Sequence, residues 1–144
     1  MRRTYLRTNA MHHRYENAKR DPNFIQNAPS VMVFDYWRVI PNQFYYDNLP
    51  LTVHHMLVPK RKFAHIDNMD IHEKREFEWL EREVLGEYYD FWGKNFTRRQ
   101  SIPDWLHFHL VIWKEKPEPN VSDEVIGEPL KVHTSDSTCT SCEG

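Results

Sequence analysis

The chain has 144 residues, 40% of them hydrophobic and 14% aromatic, which suits one domain with a packed core and excludes wholesale disorder. A formal net charge of −2 excludes a strong sequence-independent pull toward nucleic acid, although a local basic patch can still hold phosphate. No run of about 18 apolar residues occurs, and the basic start MRRTYLRTNAMHHRYENAKR lacks a signal peptide's apolar stretch, so a cytoplasmic protein with no membrane span is expected.

Residues 1–30 read as a polar segment, partly helical, with a short helix around Met11–Lys19 that ends near Pro22. Val31–Ile40 (VMVFDYWRVI) is rich in β-branched and aromatic residues and bounded by Pro29 and Pro41, the signature of a strand. Gln43–Tyr46 is expected to pair with it through a Pro41-Asn42 turn, and Asp47–Pro50 to form a loop. Thr52–Val58 is the third strand, closed by Pro59 and followed by Lys60-Arg61-Lys62.

A long helix is predicted from about Asp70, with Asp70 and Glu73 as a capping pair. Phe77, Leu80, Val84, Tyr88 and Phe91 recur at three- and four-residue steps and define its apolar face. Glu73, Glu78, Arg82 and Glu87 lie largely off that stripe, as solvated charges. The helix ends between Gly86 and Gly93, and a short strand over Tyr88–Trp92 is the alternative reading of its last turn. Asn95–Asp104 is a polar turn, and Trp105–Trp113 (WLHFHLVIW) the last strand. From residue 115 the proline- and acid-rich sequence reads as a flexible tail. Its Cys139 and Cys142 form a lone C-x-x-C, which can serve redox chemistry or half a zinc site. The small polar residues around it point to incidental cysteines.

His107 and His109 stand at i and i+2, so on a strand they share one face while Leu106, Phe108 and Leu110 turn to the other. One strand histidine is usually a satisfied structural residue; two on one face raise the odds of a site. His54 and His55 lie on the third strand beside the basic triplet. Arg98, Arg99, Gln100 and Ser101 precede the histidine strand, and their guanidinium, amide and hydroxyl groups suit phosphate oxygens. Imidazole near neutral pKa suits attack on phosphorus, with a neighbouring His or a backbone carbonyl holding the ring in the right tautomer. Each piece alone has a bland explanation, and it is their joint occurrence that points to a phosphate site.

These residues resemble the histidine triad (HIT) superfamily, whose signature is H-φ-H-φ-H-φ-φ with φ apolar. Trp105-Leu106-His107-Phe108-His109-Leu110-Val111 fits if Trp105 takes the first His position. A second register starts at His107 and places Val111 at the third. The spacing from Gln100-Ser101-Ile102 favours the first register. Upstream, His54-His55-Met56-Leu57-Val58-Pro59-Lys60-Arg61 is similar to the family's H-x-L-V-x-P-K-R strand, and Asp47-x-x-Pro50 to its ribose-binding loop.

The resemblance spans Val31–Trp113. It implies an α+β domain over residues 31–114, with an antiparallel sheet of about five strands packed by one long helix and a short one. It implies a homodimer and a nucleotide or nucleotide-conjugate substrate, with no cofactor or metal required. His107 would be the nucleophile, His109 the third triad His, and His54 would line the site. Gln100, Ser101 and Arg99 would hold phosphate and Asp47 ribose. Trp105 cannot accept a hydrogen bond as an orienting imidazole does, but it could stack on a base or simply pack. Three functions follow: a nucleotide hydrolase or nucleotidyl transferase acting through a phosphohistidine; a module that holds a nucleotide or an RNA end with little turnover; and a zinc site built from His54, His107 and His109.

Overall fold

The computed structural model describes residues 6–100 and 102–115. Helix α1 (Asn9–Ala18) precedes the strands β1 (Met32–Val33), β2 (Trp37–Pro41) and β3 (Leu51–Pro59). Helix α2 (Ile71–Trp79) then leads to β4 (Phe91–Gly93) and β5 (Phe108–Trp113). The five strands form one antiparallel sheet in the order β1-β2-β3-β5-β4. The protein is therefore α+β, a five-strand antiparallel sheet with two helices, as the sequence predicts. Ser101 and residues 116–144, with Cys139 and Cys142, lie outside the described residues. Among the described residues no helix is long and apolar enough to cross a membrane.

Alternation along the two central strands splits their side chains between two faces. On one face Val39, Leu57, Leu106, Phe108 and Leu110 pack with Leu80, Leu85 and Tyr89 from the helical segment that begins with α2. On the other face Ile40, Met56, Val58 and Trp105 meet Phe24, Ile25 and Ile102, and Phe44 meets Met11 and Tyr15. The N-terminal segment is thus laid across the sheet. Arg38 of β2 secures it by donating to the carbonyls of Ile25 and Ala28 and to the Ser30 hydroxyl.

Asp70 opens α2 with a reciprocal cap: its carboxylate accepts from the Glu73 N–H at 2.8 Å, and Glu73 accepts from the Asp70 N–H at 2.9 Å. Glu73 is not a solvated charge, being 2% exposed and paired with Arg61 at 2.7 Å. After Trp79 the helix makes one π turn, in which the Leu85 N–H donates to the Leu80 carbonyl, and then a 3-10 turn over Leu85–Glu87. An i→i+5 bond inserts one residue into the helical phase. Leu85 and Tyr89 are consequently buried, and Tyr88 and Phe91, which an unbroken 3.6-residue repeat places in the core, are exposed.

Three predicted strands change; the last, Trp105–Trp113, begins only at Phe108, so Trp105–His107 lie just before the ladder. Val31–Ile40 breaks at a tight turn, closed by the Phe34 N–H donating to the Trp37 carbonyl at 2.8 Å, so that β1 pairs with β2. Gln43–Tyr46 joins no ladder, and β2 pairs with β3 instead. The turn needs no Gly or Pro because Glu76 of α2 satisfies it. Its carboxylate accepts from the backbone N–H groups of Asp35, Tyr36 and Trp37 at 3.1, 2.7 and 3.0 Å. Charge-assisted bonds to orphan amides are the strong kind. Glu76→Ala is expected to lower stability by roughly 2–4 kcal/mol in urea unfolding. A loss under about 0.5 kcal/mol would mean that water serves those amides equally well.

Candidate functional site

β3 and β5 bring the histidines together. Met56 stands opposite His109 in the ladder, so His54, two residues from Met56 on the same face, lies diagonal to His109. His54 Nε2 is 2.8 Å from His109 Nδ1, and the His107 and His109 ring centroids are 5.4 Å apart, edge to face. All three are buried, with 5, 3 and 8% exposure for His54, His107 and His109.

Hydrogen-bond chemistry fixes each tautomer. The Tyr46 backbone N–H can only donate, so His54 Nδ1 accepts it, at 3.2 Å, and the His54 proton is on Nε2. His54 Nε2–H then donates to His109 Nδ1, which leaves His109 Nε2–H to donate to the Tyr46 hydroxyl at 3.3 Å. The Asn42 amide nitrogen, 3.4 Å from His54 Nε2, is in this arrangement a contact and not a second bond. Its Oδ1 is held by the Phe44 N–H at 2.9 Å. Asn95 also donates to the Tyr46 oxygen, at 3.3 Å. His107 stands apart from this chain. Its Nδ1 lies 2.9 Å from the Trp105 carbonyl, which can only accept, so the His107 proton is on Nδ1 and Nε2 carries a lone pair.

Burial keeps the three imidazoles neutral. It pushes His54 down to about 3, reinforced by the positive field of Arg7 and the neighbouring histidines. It pushes His109 well below the ordinary range, with His107, His54 and Arg7 adding to the effect. His107 is also lowered by burial, with its bond to Trp105 working the other way. His54 and His109 aim nitrogens at each other and not at a shared point. Among the described residues no three His, Cys, Asp or Glu side chains are grouped to hold a metal ion.

The remaining predicted residues scatter. Trp105 is 7% exposed, packs against Ile40, Met56 and Val58, and donates its indole N–H to the Pro59 carbonyl at 3.2 Å. Both Asp47 carboxylate oxygens accept from Thr8, at 2.7 Å from its N–H and 2.8 Å from its hydroxyl. Partial burial works to raise the Asp47 pKa, yet these bonds and the nearby Arg7 hold it below the usual range. Arg98 and Arg99 are exposed on a 3-10 turn over Thr97–Arg99, and Gln100 is half-buried after it. Two residues of the basic triplet are occupied elsewhere: Arg61 by Glu73, and Lys62 by Asp104 at 3.1 Å. Tyr46, Asn42 and Arg7 belong to the site, although no local motif marks them.

Two clefts open nearby, one reaching His54 and the other Trp105. One, of about 510 Å³, is lined by Asn42, Tyr45, Asp47, Thr52 and His54. The other, of about 460 Å³, is lined by Phe24, Ile25, Ile102 and Trp105 with Lys62 and Asp104. Both volumes fall in the range of small-ligand sites.

No family model matches the chain, and no curated protein matches it. Among solved structures it is similar to a hypothetical protein from Leishmania major, at 14% identity over 81% of this chain and 94% of that one, with a TM-score of 0.46. It is also similar to a HIT family hydrolase from Clostridium thermocellum, at 16% identity over 74% and 97%, with a TM-score of 0.42. A histidine triad nucleotide-binding protein from Candida albicans is similar at 16% identity over 76% and 92%, with a TM-score of 0.40.

Neutral burial has a pH signature. The unfolded chain protonates these histidines near the ordinary value of 6.5, whereas folded His54 resists until about 3. The unfolded state therefore binds more protons across that window, and stability falls as pH falls through it. Between pH 7 and 5, where most carboxylates stay ionised, the urea midpoint should drop, and in His54→Gln it should drop less steeply. A flat wild-type midpoint would show that the histidines are charged in the folded state.

Proposed function

We propose that this protein is a HIT-type nucleotide-phosphate hydrolase or nucleotidyl transferase in which His107 is the nucleophile. The observation that carries the reading is the bond from His107 Nδ1–H to the Trp105 carbonyl. Attack on phosphorus needs an uncharged imidazole with one nitrogen protonated and anchored and the other lone pair free, and His107 meets each condition. The resemblance of Trp105–Val111 and of His54–Arg61 to the HIT signatures supports the same assignment.

On this reading His107 Nε2 attacks the phosphorus of a bound nucleotide. An N–P bond forms as the bond to the leaving group breaks, and the leaving oxygen or nitrogen takes a proton. Water, or another acceptor in a transfer reaction, then attacks the phosphohistidine. The N–P bond breaks, the acceptor's proton is lost, and neutral His107 returns. His109 and His54, locked to each other, line the floor. Gln100 and Ser101 contact phosphate. Asp47 keeps lone pairs beyond those that Thr8 takes and contacts ribose. The orienting acceptor is a backbone atom, so the Trp105 side chain is not needed for the tautomer.

A second reading, a module that holds a nucleotide and turns it over slowly, is favoured by the 3% exposure of His107. One experiment separates the two. Purified protein is incubated with adenosine phosphoramidates, dinucleoside polyphosphates and adenylated nucleic-acid ends, with and without EDTA. The enzyme reading expects EDTA-insensitive product that falls by at least about 10³-fold in His107→Ala. Binding with no product from any substrate would leave the module. Trp105→Phe, which keeps the carbonyl, is expected to retain turnover within roughly tenfold and to lose stability through lost packing. Loss of turnover as deep as that of His107→Ala, in folded Trp105→Phe protein, would refute the backbone-orientation argument.

A further inference from the structure

Three neutral imidazoles leave a phosphate site without positive charge of its own. A nucleotide phosphate brings at least one negative charge into a partly dry site, where an unpaired charge is costly. Of the other basic residues, Arg98 and Arg99 stand on an exposed turn, Arg61 and Lys62 are bound to Glu73 and Asp104, and Lys94, whose positive field also reaches His107, donates its ammonium to the Asn95 carbonyl at 3.0 Å.

Arg7 is placed differently. It enters from the N-terminal segment, one residue before Thr8, whose bonds to Asp47 anchor that segment to the loop after β2. Its guanidinium lies 4.3 Å from the Tyr15 ring centroid and 4.8 Å from that of Tyr46. Tyr46 in turn packs on both histidines, with ring centroids 4.6 Å from His54 and 5.2 Å from His109. Arg7 Nε donates to the Phe44 carbonyl, which fixes the plane of the group. Among the described residues Arg7 makes no ion pair and its terminal nitrogens have no hydrogen-bond acceptor. A guanidinium held on ring faces, with its outer fork of donors unspent, is preorganised for two phosphate oxygens.

We propose that Arg7 binds the substrate phosphate, so that the N-terminal segment is part of the site and the ligands selected are anionic nucleotides over their uncharged nucleosides. The inference rests on the reading of the histidine face as a nucleotide-phosphate site. Two of its supports are independent of that reading: the orientation of Arg7, and the positive field it exerts on His54, His107 and His109.

The test is calorimetric binding of adenosine 5′-monophosphate and of adenosine to the full chain, to Arg7→Gln and to Arg7→Lys, at low and at physiological salt. Wild type is expected to prefer the monophosphate. Arg7→Gln should weaken monophosphate binding roughly ten- to hundredfold and leave adenosine unchanged, and Arg7→Lys should recover part of the loss. The preference should shrink with salt in wild type and much less in Arg7→Gln. Undiminished monophosphate binding by Arg7→Gln would overturn the role of Arg7 and leave the histidine-face reading standing. Equal loss of both ligands in Arg7→Gln would make Arg7 a structural strut and overturn the role as well. A wild type that binds the monophosphate no better than adenosine would refute the histidine-face reading, and this inference with it.

Discussion

A buried imidazole is tolerable only when it is neutral and its N–H has an acceptor, and this protein buries three on one sheet face. Much of the surrounding structure follows from that demand. His54 and His109 satisfy each other, which requires β3 and β5 to be neighbours in the observed register. The outer nitrogens of the pair need a donor and an acceptor, and Tyr46 supplies both, one from its backbone and one from its side chain. To do so, residues 42–46 must leave the sheet. The Asn42 N–H still donates to the His54 carbonyl, but the Phe44 N–H turns to the Asn42 side chain and the Tyr46 N–H to an imidazole.

The same demand explains why a tryptophan is compatible with the position two residues before His107. What the ring of His107 requires there is a carbonyl, and every residue has one. The side chain is released for another task, and Trp105 uses it to seat the N-terminal segment by packing in one buried cluster with Ile25. Orientation of the His107 ring and packing of the N-terminal segment are thus carried by different atoms of one residue. The tautomer of His107 is thereby fixed without an imidazole at position 105.

Local signals in the sequence were enough for the capping box at Asp70, the period-two histidine face and the third strand. Each depends on residues a few positions apart. What stayed hidden depends on distant partners. The turn at Phe34–Tyr36 has no Gly or Pro because Glu76, about 40 residues on, binds its amides. The π turn moved the buried stripe from Val84 and Tyr88 to Leu85 and Tyr89, a one-residue slip that no periodicity count anticipates. Glu73 looks like a surface charge until Arg61 is folded against it. Asp47 was legible as an acidic loop residue, but its engagement by Thr8 was not, since nothing in residues 6–30 announces that they pack on the sheet.

Nucleophile and counter-charge cannot come from the same group. An imidazolium would meet a phosphate's charge but has no lone pair for attack, and burial has settled these rings on the neutral side. A cation carried on the sheet face itself would have to be stripped of water beside three polar rings, at a cost of several kcal/mol. A residue arriving from the rim avoids that cost, because aromatic faces can hold a guanidinium while its edge stays wet. Arg7 meets that description, half-buried against Tyr15 and Tyr46. On the proposed reading, the segment that carries Arg7 onto the sheet would bring in the charge that the histidine face cannot generate, and its position would serve the chemistry as well as the fold.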